Sequence, residues 1–341
     1  MENKKRVLLT GVGGSIAIHT LAHIFHNTNW DIVGIDSFRH KGWTDRITEM
    51  IESHPEWRER LTVITHDLTA PLSSLLKNKI GNIDHILHLA SLSDVEASIK
   101  DPVNFVLNNI HLTLNMLEFA REVKPKTFIL FSTDEVYGPT PDKETKYKEW
   151  SVMLPSNPYA ASKAMQEMAA ISYWRTYDVP VIITNTMNNF GEMQQHSKYP
   201  VMVQKAISKG EEVTIHGNEN GEMGSRSYIH SRNASDAILF ILKKLPPHLH
   251  QAGEVDRPDR YNIAGNIQLD NLELAQTIAR VMNKELKYKI VNFHSTRPGH
   301  DPHYGLTDTK LKSLGWEPPL DFETSLKNTI EWQEEHKEWI E

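Results

Sequence analysis

Short apolar runs of strand length alternate with helical patterns through the first half of this 341-residue chain. Apolar residues recur at helical spacing between several of these runs, over 15–26, 105–123 and 157–177. The strand candidates lie at 6–10, 31–36, 61–66, 85–90, 127–132 and 179–185. Strands that alternate with helices form βαβ units, whose crossover connections place the strands parallel. The sequence therefore predicts an α/β fold with a doubly wound parallel sheet.

Composition and charge restrict the class of protein. The chain has no cysteine, which excludes disulfides, thiolate metal sites and a cysteine nucleophile. Its formal net charge of −7 argues against broad binding to nucleic acid or to membrane surfaces. The first apolar run ends at Thr10, too early for a signal peptide, and no segment approaches the roughly 18 apolar residues of a membrane span. We therefore expect a cytoplasmic protein with neither a nucleic acid nor a membrane as its partner.

The first predicted strand runs into the glycine-rich sequence TGVGGSIA at 10–17. Glycines allow a tight turn and let backbone N–H groups approach a pyrophosphate at the N-terminus of the next helix. Asp36 ends the second predicted strand, where a carboxylate accepts hydrogen bonds from the adenosine ribose. Strand, turn, helix and acid together predict a Rossmann dinucleotide-binding domain. The acid favours NAD over NADP, although Arg39 lies close by in sequence and leaves NADP open.

The alternation of strands and helices weakens beyond about residue 188. We interpret this change as the start of a second, smaller domain. The predicted domains are an NAD-binding Rossmann domain in 1–187 with 229–265, and a discontinuous C-terminal substrate domain in 188–228 with 266–341.

Tyr159 and Lys163 are four residues apart in a predicted helix, so they share one of its faces. A lysine ammonium beside a phenol stabilises the phenolate and lowers the pKa of the phenol from about 10. A pair at this spacing also occurs on solvated helix faces. Its position after a nucleotide-binding turn and a buried strand favours a catalytic pair here.

The sequence STDEVYG at 132–138 follows a predicted buried strand and places Asp134 beside Glu135. Ligands bind at the carboxyl ends of the strands in open α/β sheets. Two close carboxyl groups in unlike environments can act as the acid and the base of one reaction. We therefore interpret the pair as catalytic, with solvated loop acids as the alternative.

These motifs resemble those of the extended short-chain dehydrogenase/reductases, and specifically the nucleotide-sugar 4,6-dehydratase branch that includes the dTDP-glucose 4,6-dehydratases. The similarity extends over nearly the whole chain, and STDEVYG together with RPGHD is typical of this branch. The matching segments are TGVGGSIA (10–17), HDL (66–68), HLAS (88–91), STDEVYG (132–138), PYAASKA (158–164), NTMNNFG (185–191), RSYIH (226–230) and RPGHDPHYGLTDTKLKSLGWEP (297–318).

The resemblance implies a dehydration without net redox. NAD oxidises C4 of a hexose, water leaves across C5 and C6, and the hydride returns to C6, so that NAD stays bound throughout. Tyr159 would take the C4 hydroxyl proton, Lys163 would hold the phenolate and the nicotinamide ribose, and Thr133 would bond the C4 oxygen. Glu135 would be the C5 base, and Asp134 the acid at the C6 hydroxyl. The product would be a 4-keto-6-deoxy sugar nucleotide.

The resemblance also assigns binding residues. The implied cofactor residues are Gly11, Gly14, Ser15, Ile16, Asp36, Asp67, Leu68, Leu89, Ala90, Ser91, Asn108, Tyr159 and Lys163. The implied substrate residues are Ser93, Thr133, Asn188, Arg226, Arg297 and His300. Guanidinium forks suit diphosphate oxygens geometrically. We expect no metal site, because the 18 histidines show no zinc-type spacing.

Two departures from the branch leave the substrate open. The chain has SDVEAS at 93–98 where S-H-V-D-R-S is usual, and NNFGE at 188–192 in place of N-N-Y-G-P. The substrate could be dTDP-glucose or UDP-glucose, or UDP-GlcNAc in a 4,6- or 5,6-dehydration. Alternatives from other classes are a nucleotide-sugar 4-epimerase, which would need only Thr133, Tyr159 and Lys163, and a non-catalytic NAD-binding scaffold.

The resemblance further implies a homodimer. Its contacts would come from the predicted helices at 105–123 and 157–177. The C-terminal stretch at 322–341 predicts an amphipathic helix that closes the substrate domain.

Overall fold

A computed structural model describes residues 4–40, 42–217, 223–265, 267–292 and 303–340. The strands are β1 Arg6–Thr10, β2 Asp31–Asp36, β3 Leu61–Thr65, β4 His85–His88, β5 Thr127–Thr133, β6 Val181–Thr186, β7 Asn188–Phe190, β8 Val213–Gly217, β9 Ser225–His230, β10 Asp259–Ile263, β11 Ile267–Asp270 and β12 Tyr288–Asn292. The helices are α1 Ser15–Asn27, α2 Thr44–Ser53, α3 Ser74–Ile80, α4 Val95–Lys100, α5 Pro102–Val123, α6 Pro158–Tyr177, α7 Tyr199–Lys209, α8 Ser231–Lys244, α9 Asn271–Val281, α10 Thr309–Ser313 and α11 Phe322–Glu335. Short 3-10 helices are Pro55–Arg60, Asp134–Tyr137 and Lys337–Trp339.

Within these residues the main sheet has seven parallel strands in the order β10-β6-β5-β4-β1-β2-β3. The order reverses between β1 and β4, which is where a doubly wound sheet opens a crevice for ligands. The predicted α/β fold with a doubly wound parallel sheet is confirmed. Smaller sheets in the order β11-β9-β7 and β12-β8 lie outside the main sheet.

Side chains alternate across the main sheet and build a core on each face. Val7 and Leu9 pack with α1 and α8, whereas Leu8 packs with α5 and α6. Both faces of the sheet are therefore covered, as a parallel sheet requires. The sequence reflects this arrangement, because the central strands are apolar at consecutive positions rather than at every second one.

Hydrogen bonding explains why two strands are shorter than predicted. Leu89 and Ala90 donate their N–H groups to Thr10 Oγ1, each at 3.1 Å, so β4 ends before them. Pro180 has no N–H to donate, and β6 begins one residue later.

Two further differences concern the C-terminal half. Strand β10, with the sequence DRYNI, was not among the predicted strands, because Arg260 and Asn262 interrupt its apolar pattern although both are fully buried. The predicted C-terminal helix ends at Glu335, since His336 leaves the helical conformation (φ −118°, ψ 64°). In the part of the chain that the structure describes, we find no helix that is both long and apolar enough to cross a membrane.

A buried ion pair fastens β10 to α6. Arg260 Nη2 donates to Glu167 Oε2 at 2.5 Å, and neither side chain is exposed to solvent. Arg260 Nη1 also donates to the carbonyl of Glu149 at 2.9 Å. Asn185 Nδ2 donates to Glu167 Oε1 at 2.8 Å and to the carbonyl of Thr133 at 3.1 Å. The network thus connects α6 and β10 with the end of β5.

We predict that Arg260→Met lowers the free energy of unfolding by about 3–5 kcal/mol, because it leaves the Glu167 carboxylate buried without its cation. Urea denaturation followed by circular dichroism measures this change. The matched control is Arg280→Met, which removes an exposed 2.9 Å pair with Glu323 and should change stability little. Equal stability of Arg260→Met and wild type would contradict the structural role of the pair.

Candidate active site

The carboxyl ends of β1, β2, β4, β5 and β6 meet at one edge of the main sheet, because these strands are parallel. The glycine-rich turn follows β1, and the short 3-10 helix with Asp134 and Glu135 follows β5. The sequence-predicted cofactor and catalytic residues are therefore brought to the same edge. We treat this edge as the candidate active site.

The turn after β1 has the geometry of an anion-binding turn. Gly11 adopts φ +70°, and a Cβ at this position would lie 2.9 Å from Ala90 Cα. Gly14 is the N-cap of α1, and within the described residues no side chain caps this end and no acid lies in the first turn. The free N–H groups, including those of Ser15 and Ile16, fit the pyrophosphate of a dinucleotide.

Asp36 supports this turn directly. Its carboxylate accepts hydrogen bonds from the backbone N–H groups of Gly13 at 3.0 Å and Phe38 at 2.9 Å. Arg39 instead forms a 2.5 Å ion pair with Asp67, one of the assigned cofactor residues. Burial opposes the loss of the Asp67 proton, but hydrogen bonds from Thr69 and the Arg39 charge leave its pKa below the usual value. Arg39 is therefore paired with a residue of the predicted cofactor site.

The segment after β4 is held from two sides. The Thr10 hydroxyl accepts the N–H groups of Leu89 and Ala90, as described above. Asn109 accepts from the N–H of Leu92 at 2.8 Å and donates to its carbonyl at 3.0 Å. Thr10 and Asn109 were not predicted as supports from the sequence. Both are polar residues in apolar elements, a signal that could have identified them.

Four other assigned residues lie around this segment. Ser91 donates from Oγ to the carbonyl of Leu92 at 3.2 Å, and Asn108 Nδ2 donates to Asn109 Oδ1 at 3.2 Å. The carbonyl of Leu68 accepts from Asn115 Nδ2 at 2.8 Å. Ser93 is exposed at the start of the loop that leads into α4.

Asp134 is a buried carboxyl group at the end of β5, with 6% of its surface exposed. Thr133 Oγ1 donates to Asp134 Oδ1 at 3.0 Å. Burial and the neighbouring Glu135 charge raise the pKa of Asp134 to about 7, against the lowering effects of Thr133 and Arg226. Asp134 therefore keeps its proton at a pH where an ordinary aspartate has lost it.

Glu135 has a different environment. It is partly buried, and Asn157 Nδ2 donates to its Oε2 at 3.1 Å. Asn157 is also the N-cap of α6, where its Oδ1 accepts from the N–H of Ala160 at 2.9 Å. One amide side chain thus fixes Glu135 relative to the helix that carries Tyr159. The Asn-Pro sequence at the start of α6 is an N-terminal helix signal that predicts the cap but not its second bond.

Tyr159 and Lys163 lie in the first turns of α6. Lys163 is buried, and its Nζ donates to the carbonyl of Phe131 at 2.7 Å. Burial lowers the pKa of Lys163 to about 8, while the Glu167 carboxylate opposes the shift. The prediction that Lys163 lowers the pKa of Tyr159 is wrong, because the protein raises this pKa. Burial and the Glu135 charge raise that pKa, and the hydrogen bond with Thr133 opposes them.

The assigned substrate residues are partly described. Arg226 lies in β9 with its guanidinium 4.6 Å from the centre of the Tyr304 ring, and its charge acts on Asp134. Asn188 begins β7, partly exposed. The assigned Arg297 and His300 lie outside the described residues.

Fold and site together define a dinucleotide-binding protein of the extended short-chain dehydrogenase/reductase class. A family model described as "GDP-mannose 4,6 dehydratase" matches residues 8–329. The chain belongs to this family, and the resemblance recognised in the sequence is confirmed.

Relatives and solved structures agree with this assignment. A dTDP-glucose 4,6-dehydratase of Escherichia coli is 31% identical, over 98% of this chain and 95% of the relative. A dTDP-glucose 4,6-dehydratase of Streptomyces venezuelae, solved with NAD bound, superimposes with a TM-score of 0.84 at 27% identity and covers 98% of both chains. A UDP-glucose 4-epimerase of Thermus thermophilus shares the fold, with a TM-score of 0.81, 21% identity, and 96% of this chain and 98% of that one covered.

We predict that Asp134→Asn raises the free energy of unfolding relative to wild type. This gain should be larger at pH 8 than at pH 4, by roughly 2–4 kcal/mol. The folded state holds a proton up to about pH 7, whereas the unfolded aspartate releases it near 3.8. The stability that wild-type Asp134 contributes is therefore lost as pH rises from 3.8 to about 7. Asparagine does not titrate, so the variant does not show this loss. Denaturation midpoints at both pH values measure the difference.

The control for this measurement is Asp142→Asn, since hydrogen bonds from Thr145 hold the pKa of that exposed carboxyl below its usual value. It should show no gain at pH 8. An Asp134→Asn protein whose stability follows the wild-type pH dependence would contradict a buried, protonated Asp134.

Proposed function

We propose that this protein is an NAD-dependent nucleotide-sugar 4,6-dehydratase that converts an NDP-hexose to an NDP-4-keto-6-deoxyhexose. One observation carries the proposal: a buried carboxyl group with a raised pKa lies next to a second, partly exposed carboxyl group at the end of β5. A 4-epimerase has no need of such an acid and base. The relatives named as dehydratases support the same choice.

The first step is oxidation at C4. Bound NAD supplies the hydride acceptor at C4 and the hydride donor for C6. Tyr159 takes the C4 hydroxyl proton, and Thr133 bonds the same oxygen. Burial and the Glu135 charge raise the Tyr159 pKa, against the hydrogen bond with Thr133. Lys163 follows one turn later in α6, where we propose that it holds the nicotinamide ribose. Lys163 stays protonated up to about pH 8.

The second step is the loss of water. A carbonyl at C4 makes the C5 hydrogen acidic, so that Glu135 can remove it. The amide of Asn157 donates to Glu135 Oε2 at 3.1 Å and orients this carboxylate. Asp134 still carries its proton near neutrality and gives it to the C6 oxygen, which leaves as water. Unlike environments thus divide the two roles between neighbours. When the hydride returns to C6, Glu135 would give its proton back to C5, and the proton taken up by Tyr159 would replace the one that Asp134 gave to water.

The substrate class follows from the binding residues. We propose that Arg226, whose guanidinium lies against the Tyr304 ring, binds the diphosphate, and that Asn188 and Ser93 bind the sugar, as the resemblance implies. Asp36 and the N-terminus of α1 serve the ribose and pyrophosphate of NAD. We propose that the hexose is glucose on a dTDP or UDP carrier.

A mass-spectrometric screen of sugar nucleotides with the purified protein tests this function. We expect dTDP-glucose or UDP-glucose to lose the mass of one water. An isomer of unchanged mass would indicate an epimerase, and dehydration of UDP-GlcNAc would move the substrate assignment to that sugar. If no dTDP-, UDP-, CDP- or GDP-hexose is changed, the proposed activity is wrong.

We predict that Glu135→Gln reduces dehydration at least about a hundredfold while NAD binding is retained, because the amide cannot remove the C5 proton. Product formation and bound NAD are both measured. The matched control is Glu144→Gln, an exposed acid on the following loop, which should keep wild-type turnover. Wild-type dehydration by Glu135→Gln would remove Glu135 from the mechanism.

We also propose a homodimer through α4, α5 and α6. These helices present apolar side chains to solvent, between 43% and 65% exposed: Ile99, Val103, Leu107, Met165 and Met168. Exposed apolar side chains on helices that pack against one another are typical of an interface between subunits. The seven-stranded sheet would form the NAD-binding domain and the smaller sheets the substrate domain. The cytoplasm remains the predicted compartment.

We predict that Met168→Glu shifts the protein from dimer to monomer, since a carboxylate would lose its hydration in the interface. Analytical ultracentrifugation measures the change. Leu75→Glu serves as the control, because Leu75 is 79% exposed on α3, away from this face. A wild-type monomer, or a Met168→Glu dimer, would refute the proposed interface.

A further inference from the structure

Arg46 of α2 is a fully buried arginine beside the glycine-rich turn. Its Nη1 donates to the carbonyl of Gly13 at 2.6 Å, and its Nε donates to the carbonyl of Met193 at 2.8 Å. Gly13 belongs to the turn that begins α1, whereas Met193 lies in the loop that follows β7. One guanidinium therefore connects the cofactor turn to the substrate side of the site, and Met193 lies 147 positions from Arg46 in sequence.

Two tryptophans enclose this guanidinium. Its carbon lies 4.4 Å from the centre of the Trp43 ring and 6.0 Å from that of Trp339. The two rings are stacked with centres 6.0 Å apart. Trp339 is 6% exposed and belongs to the 3-10 helix after α11. We call Arg46, Trp43 and Trp339 the Arg46 clamp.

The clamp fixes the peptide that leads into α1. The Gly13 carbonyl accepts from Arg46 and, at 3.0 Å, from the N–H of Trp43. The Gly13 N–H donates to Asp36. Both polar groups of Gly13 are thus used by protein atoms, and the Gly14 N–H donates to the Gly11 carbonyl at 2.8 Å. The N–H groups of Ser15 and Ile16, at the start of α1, are the ones left for the ligand.

Moving the turn away from the loop would be unfavourable. It would separate a buried cation from its carbonyl partners and from its aromatic walls. Burial lowers the pKa of Arg46 to about 10, while the Asp36 and Asp45 charges oppose this shift. The charge is therefore present at neutral pH, and the clamp is closed.

We propose that Arg46 is a positioning residue that retains NAD through the catalytic cycle, and that the C-terminal Trp339 closes the clamp from outside. A reaction that takes a hydride from C4 and returns it to C6 fails if the cofactor leaves between the two steps. A dinucleotide that extends from Asp36 to Lys163 passes the turn that the clamp holds. The proposal rests on NAD as the cofactor, and not on the identity of the sugar.

The test measures how fast NAD leaves the purified protein. Wild type and variants are loaded with radiolabelled NAD, chased with excess unlabelled NAD, and sampled over time. We expect Arg46→Met to release NAD at least about tenfold faster than wild type, and Trp339→Leu to release it several-fold faster, because retention acts mainly on the dissociation rate. Arg46→Lys, which keeps the charge without the fork, should fall between wild type and Arg46→Met.

Arg121→Met is the matched control. It removes a guanidinium 4.1 Å from the Tyr177 ring, also an arginine over an aromatic side chain but exposed and distant from the turn. Its NAD release should equal that of wild type. The thermal midpoint of each NAD-free variant distinguishes a role in NAD retention from a purely structural role. A purely structural role would lower the midpoint without changing NAD release.

Unchanged release from a folded Arg46→Met protein would overturn the proposal. If Arg46→Met does not fold, Trp339→Leu decides, and unchanged release from that variant would equally overturn it. No sugar nucleotide takes part, so a negative substrate screen and a negative retention result are independent of each other.

Discussion

Two neighbouring carboxyl groups at a buried strand end cannot both carry a negative charge without a large energetic penalty. Here the penalty falls on Asp134, which is buried next to Glu135 and accepts its hydrogen bond from Thr133. Glu135 lies further out and receives an amide N–H from Asn157. The fold therefore creates an acid beside a base from two adjacent residues. The roles proposed for Tyr159 and Lys163 depend on this division, because the oxidation at C4 serves only to prepare the elimination.

The buried network behind the site keeps this arrangement rigid. Asn185 holds the carbonyl of Thr133 and one oxygen of Glu167, whose other oxygen is paired with Arg260. Glu167 also supports the charge of Lys163 from one turn away. A single set of hydrogen bonds thus links the strand that carries the acids to the helix that carries Tyr159. The same principle applies on the cofactor side, where Asp36 and Arg46 hold Gly13.

Much of this could be predicted from the sequence, for local reasons. The parallel strands were predicted because both faces of each are buried, which gives continuous apolar runs, and the glycine-rich turn because it lies between a strand and a helix. Strand β10 was missed, since its buried Arg260 resembles a surface residue until its partner is known. That partner, Glu167, lies 93 positions away.

Two supports of the site were unpredictable for the same reason. Asn157 and Arg46 act through bonds to residues distant in sequence, and no local pattern records such bonds. The pKa of Tyr159 shows a different limit. The spacing to Lys163 was read correctly, but the lysine donates to the carbonyl of Phe131, and burial and the Glu135 charge raise the pKa of the phenol. Spacing along a helix fixes proximity and not the balance of charges.

The protonation of Asp134 can be measured directly by infrared difference spectroscopy. Spectra of wild type minus Asp134→Asn, recorded from pH 5 to 9, isolate the carbonyl stretch of the protonated Asp134 carboxyl. We expect this band at acid pH and its loss with a midpoint of about 7. A band that has already disappeared at pH 5, as for an ordinary aspartate, would contradict the division of acid and base on which the account rests.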